Sequence, residues 1–511
     1  MRGPGELEGH PEPELVDYRR STGSRPALEA LGAAAWKLAL DYLYDEALRR
    51  PVGPEPYGEL RRAFFGDGPG SPPRSATPSS EILEEVRDRL APHLYSAYHP
   101  GSFSYFTPPP LAMSIVGEVL AQWMNQGVDV WNCGPAAALV EEEVIAWLCE
   151  LVGYGEGSFG VLTSGGTHAN VMALSIARDV HLSKLLGAAT PPRAASLDKA
   201  RLYASDQAHF SISRGMDLLG FPPQATRTIP SDGRFRMDPA ATARAISDDR
   251  AAGLTPFAIA AVSGSTNTGS VDPLPELAEL ARREGLWLHT DAAYGGAARL
   301  SASGAGRVPD LSLADSVTVD PHKWFFQAYD VGALLVSRRE DLRRTFHREP
   351  EYYGGGPTSG EEPLHWYRYS LESTRRFRGL KLWLSWKHLG TQGLGRLVER
   401  TIDLAAHLAR RCREADDFEV VPEEPELSVV CFRHVPDPGA DAEALDRYQV
   451  ALQRALEVSG QGWVSTTTLR GRTFLRAGVM NYLSTTADVD RVLETLRRLS
   501  PEVAKDLGLR R

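Results

Sequence analysis

The sequence contains few cysteines and no long apolar run, and each scarcity argues against a class of protein. Its 511 residues include four scattered cysteines, Cys133, Cys149, Cys412 and Cys431, with no Cys-x-x-Cys pair. This argues against a disulfide framework or a zinc cluster and predicts a reducing, cytoplasmic location. No apolar run is long enough to cross a bilayer and the N-terminus lacks the apolar segment of a signal peptide, so no membrane partner is expected.

Basic residues are outnumbered by acidic ones. The sequence has 56 lysines and arginines and 66 aspartates and glutamates, which gives a formal net charge of -10. This balance argues against a nucleic-acid partner, because phosphate backbones bind proteins of the opposite sign. A hydrophobic share of 42% and a charged share of 24% are typical of a globular protein. A chain of this length is expected to form two or three structural units.

The order of the predicted elements indicates the fold. Between residues 110 and 389, helical stretches alternate with short β-rich runs, at Phe159–Leu162, Arg201–Ala204, Phe257–Val262, Leu286–Thr290, Ser316–Val319 and Gly332–Val336. Alternating strands and helices predict an α/β domain with a mostly parallel sheet covered on both faces. The pattern over residues 1–109 predicts an N-terminal helical segment with a Pro/Gly/Ser-rich connector at 51–79. The pattern over residues 390–511 predicts a smaller C-terminal α+β domain.

Lys323, one of only seven lysines, follows the predicted strand Ser316–Val319 in Asp320-Pro321-His322-Lys323-Trp324. An amine attacks an aldehyde only when it is neutral, and burial near other cationic groups lowers the pKa of a lysine. A lysine at a strand end, with a histidine beside it, therefore suits a Schiff base. A surface charge is the alternative, because most lysines are exposed.

Two polar turns also follow predicted strands. The first turn follows Phe159–Leu162 and leads into a predicted helix, whose first amides can bind phosphate well. Gly165 and Gly166 allow the phosphate to approach the backbone closely, and Thr167 adds a hydroxyl. A tight strand-to-helix turn is the alternative. The second turn follows Phe257–Val262 and offers hydroxyls such as that of Thr266 to a cofactor ring, unless it is a plain hydroxyl-rich turn.

Asp291 ends an apolar strand, where open α/β sheets bind ligands. A buried carboxylate there needs a cation, and a protonated pyridine nitrogen would make its ring an electron sink. Ala293 is small enough to lie flat under that ring. The alternatives are a structural ion pair or a metal site with His289, but no third ligand has helpful spacing and no metal is predicted. His209, just past another strand, suits ring stacking and contact with a substrate carboxylate, with a core or capping role as the alternative.

In this order the motifs closely resemble the group II pyridoxal-5'-phosphate (PLP)-dependent amino acid decarboxylases, the family of aromatic amino acid, glutamate and diaminobutyrate decarboxylases. The resemblance extends from about His99 to Asn481 and is most specific in Ser164–Thr167, His289–Gly296 and Asp320–Trp324. It implies the PLP-dependent transferase fold type I, with a mostly parallel seven-stranded sheet. It also implies a homodimer whose N-terminal helices wrap the partner subunit, and decarboxylation of an amino acid substrate to an amine and CO2.

The resemblance also implies roles for single residues. Lys323 carries the cofactor as a Schiff base, and Asp291 pairs with the pyridine nitrogen. His209 stacks on the ring opposite Ala293, and Thr266 lies near the 3'-oxygen. Four residues hold the phosphate: Gly165, Gly166, Thr167 and His322.

A loop at 345–363 resembles the family's mobile catalytic loop, whose tyrosine returns a proton to the substrate carbon. Tyr352 and Tyr353 are both candidates, and counting back from Arg375-Arg376-Phe377 favours Tyr352; loop packing is the alternative. Arg476 matches an arginine suited to the substrate α-carboxylate, with a structural strand arginine as the alternative.

The substrate class is the least determined prediction. Phe103–Pro110 resembles the entry side of the pocket, and its aromatic residues, with Tyr105 and Phe106 as substrate contacts, favour an aromatic amino acid. Asn125–Asn132 is closer to the diaminobutyrate and glutamate branches, and an aldehyde synthase of the same fold is a further alternative. The chain departs from the family at His168, usually a small polar or acidic residue, and at Arg214, usually a lysine.

Overall fold

A computed structural model describes residues 11–16, 23–45, 50–51, 53, 55–66, 68–188, 192, 194–349, 351 and 363–509. The large domain is built on a seven-stranded sheet of order β1-β7-β6-β5-β4-β2-β3, in which only β7 runs antiparallel to its neighbours. Its strands are β1 (Phe159–Thr163), β2 (Ala200–Ser205), β3 (Thr226–Ile229), β4 (Thr255–Val262), β5 (Trp287–Asp291), β6 (Ser316–Val319) and β7 (Gly332–Val336).

The predicted fold class, a mostly parallel α/β sheet of seven strands, is therefore confirmed. The central strands read as near-continuous apolar runs because helices cover both faces of the sheet and bury nearly every strand residue. The sequence did not predict β3. This strand lies at the edge of the sheet, and of its four residues only Ile229 is buried, so it carries no apolar run.

The helices before the large sheet are α1 (Pro13–Val16), α2 (Ser24–Tyr44), α3 (Tyr57–Phe65), α4 (Ser79–Glu85), α5 (Ala112–Met124) and α6 (Pro135–Val152). The helices between its strands and just after it are α7 (Gly166–Ile176), α8 (Ser183–Leu185), α9 (Ala194–Leu197), α10 (Ser211–Leu218), α11 (Pro239–Ala251), α12 (Leu274–Glu284), α13 (Ala302–Ala305) and α14 (Arg339–Phe346). The predicted connector at 51–79 thus contains a helix, α3.

The long helix α15 (Gly379–Arg413) leads into the small domain and has a non-helical residue at Gly390, with φ 66° and ψ 169°. A second sheet follows, of order β10-β11-β9-β8 with every pair antiparallel. Its strands are β8 (Phe418–Val421), β9 (Val429–His434), β10 (Ser465–Leu469) and β11 (Arg472–Gly478), and its helices are α16 (Ala442–Ser459) and α17 (Thr486–Asp506).

Two apolar cores correspond to the two sheets. The larger core surrounds the seven-stranded sheet, and α15 contributes to it as far as Ile402. From Leu404 onward α15 belongs to the smaller core, with α16, α17 and one face of β9 and β11, whose other face packs in the larger core. The boundaries predicted after residues 109 and 389 stay predictions. Within the described residues, no helix is both long and apolar enough to span a membrane.

Candidate active site

Five strand ends meet at one edge of the large sheet. β1 runs parallel to β6, because both are antiparallel to β7, and β2, β4, β5 and β6 are mutually parallel. The segments that follow these five strands surround a cavity of about 310 Å³. It is lined by Ser164, Gly165, Gly166, Thr167, His168, Asn170, His209, Val262, Gly264, Thr266, Asp291, Ala293, Tyr294, Asp320, His322 and Lys323.

The turn between β1 and α7 has glycine at two positions that accommodate a side chain poorly. Gly165 has φ 156° and ψ 176°, a conformation that is open essentially to glycine alone. A Cβ on Gly166 would lie 2.9 Å from Asp320 Oδ2 and 3.1 Å from the Cβ of Ala293. The residues at the start of α7 line the cavity, and amides at a helix start suit an anion.

Asp291 lies at the end of β5 and is 6% exposed. Its Oδ2 accepts a hydrogen bond of 2.8 Å from Asn170 Nδ2, and its Oδ1 accepts one of 3.1 Å from the Ala293 amide. A buried carboxylate without an arginine or lysine partner can pair with a cation brought by a ligand. The described residues contain no cluster of three or more His, Cys, Asp or Glu able to hold a metal ion.

His209 lies between β2 and α10 on the wall of the cavity. Its Nδ1 is 2.8 Å from Ser211 Oγ and accepts a hydrogen bond of 3.3 Å from the Ser211 amide. Burial lowers the pKa of His209, although the charge of Asp291 opposes this shift. The imidazole is therefore neutral near pH 7.

Lys323 reaches the cavity from the loop after β6, with 23% of its side chain exposed. Its Nζ lies 3.0 Å from Asp320 Oδ2 and 5.8 Å from the centre of the Phe106 ring. The sequence predicted cationic neighbours for this amine, but its ion-pair partner is the acid Asp320. Asp320 is 2% exposed and its Oδ1 has no hydrogen-bond partner within the described residues.

His322 and Thr266 border the same cavity. His322 Nδ1 donates to the carbonyl of Val331 at 2.6 Å, which fixes the ring beside the glycine turn. Burial lowers the pKa of His322, so its Nε2 is an acceptor near pH 7 unless an anion binds and favours protonation. Thr266 is exposed at the tip of the turn after β4.

Arg476, on β11, lies in a second cavity of about 380 Å³, which Thr266, Tyr105 and Phe106 also line. Its Nε donates to the Thr266 carbonyl and its Nη1 to the Ser104 carbonyl, each at 2.8 Å, and Nη2 has no partner within the described part of the chain. Arg476 is 5% exposed and its guanidinium is 4.9 Å from the Phe106 ring centre. Lys323 of the first cavity and Arg476 of the second thus both lie near the ring of Phe106.

Some predicted site residues cannot be placed and others were not predicted. Tyr352 and Tyr353 lie outside the described residues. The sequence reasoning missed Asn170 and Asp320, although both stand inside motifs that it singled out, because their chemistry depends on neighbours distant in sequence.

Two positions depart from the family pattern, His168 and Arg214. His168 borders the cavity with Nδ1 3.6 Å from Glu372, and the guanidinium of Arg214 lies over Phe210.

Comparison with known proteins identifies the family. The Pyridoxal-dependent decarboxylase conserved domain matches residues 67–435. The chain belongs to this family. It is 31% identical over 481 residues to an aromatic-L-amino-acid decarboxylase of Bacillus atrophaeus, covering 94% of this chain and 97% of the relative. It is also 31% identical over 419 residues to an L-2,4-diaminobutyrate decarboxylase of Acinetobacter baumannii, covering 80% and 81%.

A solved structure has a similar fold. The crystal structure of Oryza sativa TDC with PLP and tryptamine has a TM-score of 0.86 at 27% identity, and the match covers 93% of this chain and 98% of that chain. The protein is thus a PLP-dependent amino acid decarboxylase, as the sequence predicted, and PLP is its cofactor. The residues present fit this group, since a glycine turn, a buried carboxylate and a lysine amine border one cavity.

We expect Gly166→Ala to weaken PLP binding. The added Cβ would lie 2.9 Å from Asp320 Oδ2, so either the turn or Asp320 must shift. The loss of one to two phosphate hydrogen bonds corresponds to about a tenfold to hundredfold rise in the Kd of PLP. Fluorescence titration of the apoenzyme measures this. Gly155→Ala is the control, because a Cβ at Gly155 meets nothing within 4 Å. Equal Kd values for both variants would contradict the steric argument.

Proposed function

We propose that this decarboxylase converts an aromatic L-amino acid into its amine and CO2. The observation that carries the proposal is the position of the Phe106 ring, 5.8 Å from Lys323 Nζ and 4.9 Å from the Arg476 guanidinium. A substrate held between the Lys323 amine and the Arg476 guanidinium would contact the face of the Phe106 ring. Tyr105 and Trp463, with ring centres 5.3 Å apart, add aromatic surface to the second cavity. An aromatic side chain of the substrate would pack on these rings in offset or edge-to-face contact.

The charges in the second cavity argue against the two polar alternatives. A diaminobutyrate side chain needs a free anion, but Glu457 already accepts from Trp463 Nε1 at 2.9 Å, Gln453 Nε2 at 2.6 Å and Arg454 Nη1 at 2.9 Å. A glutamate side chain needs a cation besides the one that binds its α-carboxylate. Among the described residues that line this cavity, Arg476 is the sole lysine or arginine.

We infer that Arg476 binds the α-carboxylate of the substrate. Its Nη2 is a buried donor without a partner among the described residues, and leaving such a donor unpaired is costly. Burial also lowers the pKa of Arg476, an effect that a bound carboxylate would reverse. The α-carboxylate is the one anion that every L-amino acid substrate offers.

The remaining roles follow from the residues of the first cavity. Bound PLP supplies an electron-accepting pyridine ring. We infer that Asp291 pairs with its nitrogen, that His209 and Ala293 hold its two faces, and that Lys323 holds and releases it through the amine. Asp320 is available to keep the released amine of Lys323 in the cavity by the ion pair described above.

The phosphate end of PLP has its own set of residues. We infer that it is held by Gly165, Gly166, Thr167 and His322, with Thr266 near the 3'-oxygen. The support is that all five border the first cavity, and that the first three form the turn and the start of α7.

Amine detection against a panel of amino acids tests the proposed function. The holoenzyme is incubated separately with phenylalanine, tyrosine, tryptophan, glutamate, diaminobutyrate and cysteine sulfinate, and amine and CO2 are measured. We expect aromatic amines at a kcat/KM at least about tenfold above that of any polar substrate, since a buried ring contributes more than one kcal/mol. A preference for diaminobutyrate or glutamate would refute the aromatic assignment.

Two variants serve as controls in this assay. Lys323→Ala is expected to yield no amine and to lose the absorbance of the Schiff base. Arg476→Lys is expected to raise KM about tenfold, because a lysine ammonium cannot keep the contacts with the Thr266 and Ser104 carbonyls while it also donates to the substrate carboxylate.

We infer that Tyr352 or Tyr353, in the segment that resembles the catalytic loop, returns the proton to the substrate carbon. Replacement of the donor by phenylalanine removes the acid, so in air the product should shift from amine to aldehyde, with dissolved O2 as the two-electron oxidant and with release of ammonia and hydrogen peroxide. Tyr352→Phe is expected to show this shift, and Tyr353→Phe is its matched control. The ratio of amine to aldehyde, measured by chromatography, decides between them, and unchanged ratios in both variants exclude both tyrosines.

We also infer that the decarboxylase is a homodimer. The helix α2 has 21 residues, of which only Ser24 is buried, and it exposes Trp36 at 47% and Tyr44 at 72%. On α5, Trp123 is 63% exposed. Such exposed apolar helices are typical of subunit interfaces. Light scattering should give about twice the chain mass of 55.9 kDa. Trp36→Glu should weaken the dimer while Val450→Glu, at an exposed position on α16, should not; equal masses would contradict this interface.

The four cysteines are unpaired, which supports the predicted reducing, cytoplasmic location. That location stays a prediction, and cell fractionation tests it.

A further inference from the structure

Asn170, on the buried face of α7, uses every hydrogen-bonding position of its amide. Its Nδ2 donates to Asp291 Oδ2 and to Ser211 Oγ, each at 2.8 Å. Its Oδ1 accepts from Thr318 Oγ1 at 2.7 Å and from His289 Nε2 at 3.0 Å. An amide has two donors and two acceptor positions, so this side chain, which is 1% exposed, is fully satisfied in one orientation.

Asp291 fixes that orientation. Its Oδ2 accepts from Asn170 and its Oδ1 from the Ala293 amide, so the whole carboxylate acts as an acceptor. The nitrogen of Asn170 must face it, and the amide oxygen must face the opposite way. An amide oxygen only accepts, so His289 carries its proton on Nε2.

The protons on the far side of Asn170 follow from the same rule. His289 Nδ1 is an acceptor, and Ser316 Oγ donates to it at 2.9 Å. The same hydroxyl accepts from Trp287 Nε1 at 3.0 Å. Burial lowers the pKa of His289 to about 4, which agrees with a neutral ring. Every donor from Trp287 to Asp291 therefore points in one direction, and hydrogen bonds aligned in this way strengthen one another.

A second branch leads from Asn170 to His209. Ser211 Oγ accepts from Asn170, so its own proton is available for His209 Nδ1 at 2.8 Å. The Ser211 amide donates to the same nitrogen at 3.3 Å. With two donors directed at Nδ1, a neutral imidazole carries its proton on Nε2. The close packing of α10 on α7 brings Ser211 within reach, since a Cβ on Gly215 would lie 2.7 Å from Leu174 Cδ1.

We propose that Asn170 is a positioning residue that, through Ser211, holds His209 as the tautomer with its proton on Nε2 while it also holds the Asp291 carboxylate. The proposal rests on the proposed roles of Asp291 and His209 and deepens them. Nε2–H is then a donor of a ring that borders the first cavity, which is the polarity that a substrate carboxylate requires. The Asn170 amide thus orients both Asp291, which faces the cofactor nitrogen, and His209, which faces the substrate.

Neutron diffraction of holoenzyme crystals exchanged into D2O tests the proton positions directly. We expect deuterium on Nε2 of His209 and of His289, none on either Nδ1, and none on Asp291. Deuterium on His209 Nδ1, alone or together with Nε2, overturns the proposal. So does an Asn170 amide whose oxygen faces Asp291. The measurement uses the native protein, so it does not depend on the folding of any variant.

Variants separate the two branches. Ser211→Ala removes the hydroxyl that links Asn170 to His209 but leaves the contact between Asn170 and Asp291. We expect the KM of the amino acid to rise about tenfold while the Kd of PLP changes less than about twofold. Asn170→Ala removes both links, so the Kd of PLP should rise about tenfold as well. An unchanged KM in Ser211→Ala overturns the link to His209.

Ser175→Ala is the matched control. Ser175 is a buried serine on the same helix, but its hydroxyl donates to the Val171 carbonyl within that helix. Both KM and the Kd of PLP should stay at wild-type values, and a tenfold change there would assign the variants' effects to general loss of packing. The result is distinct from the test of function: a protein that makes no amine but shows the expected deuterium positions refutes the proposed function and leaves the tautomer assignment intact.

Discussion

β1, β2, β4, β5 and β6 run in the same direction, so their carboxyl ends meet at one edge of the large sheet. Each strand end is followed by a segment that turns away from the sheet and leaves one or two polar side chains at this edge. Residues from Gly165 to Lys323, more than 150 positions apart in the chain, therefore share a single cavity. No one of these segments could form the site alone, because each supplies only part of the chemistry.

The apolar core extends into this edge through a stack of aromatic rings. Trp324, which is 0% exposed, stacks on Tyr294 with ring centres 4.7 Å apart, and Tyr294 stacks on Phe106 at 4.4 Å. The ring that we propose as the substrate contact is thereby supported by core residues instead of by a surface loop. The same principle applies to Asp291 and Asn170, whose positions depend on buried hydrogen bonds to β5, β6 and α10.

The sequence was sufficient for most of the fold because fully buried strands leave continuous apolar runs, as at Ser316–Val319 and Gly332–Val336, whose bounds were predicted without error. It failed for β3, an edge strand with exposed threonine and arginine side chains. Position after a predicted strand was enough to single out Lys323 and Asp291, which both line the first cavity, while their chemical roles stay proposals. The partners of Asn170, and the approach of Arg476 to Phe106, could not be predicted, because those contacts join segments distant in sequence and depend on the packed structure.

Gly390 interrupts α15, and the 23 residues that follow it extend to Arg413, where the helix has joined the small core. At 1.5 Å per residue this segment is about 35 Å long. Its first part, from Leu394 to Ile402, packs in the large core, and its second part, from Leu404 to Cys412, packs in the small one. β11 is shared in the same way, because Phe474 packs in the large core while Leu475 and Ala477 pack in the small one. The separation between Arg476 and Lys323 is therefore set by elements that are anchored in both cores, and a core substitution in α15 far from the cavity would change it.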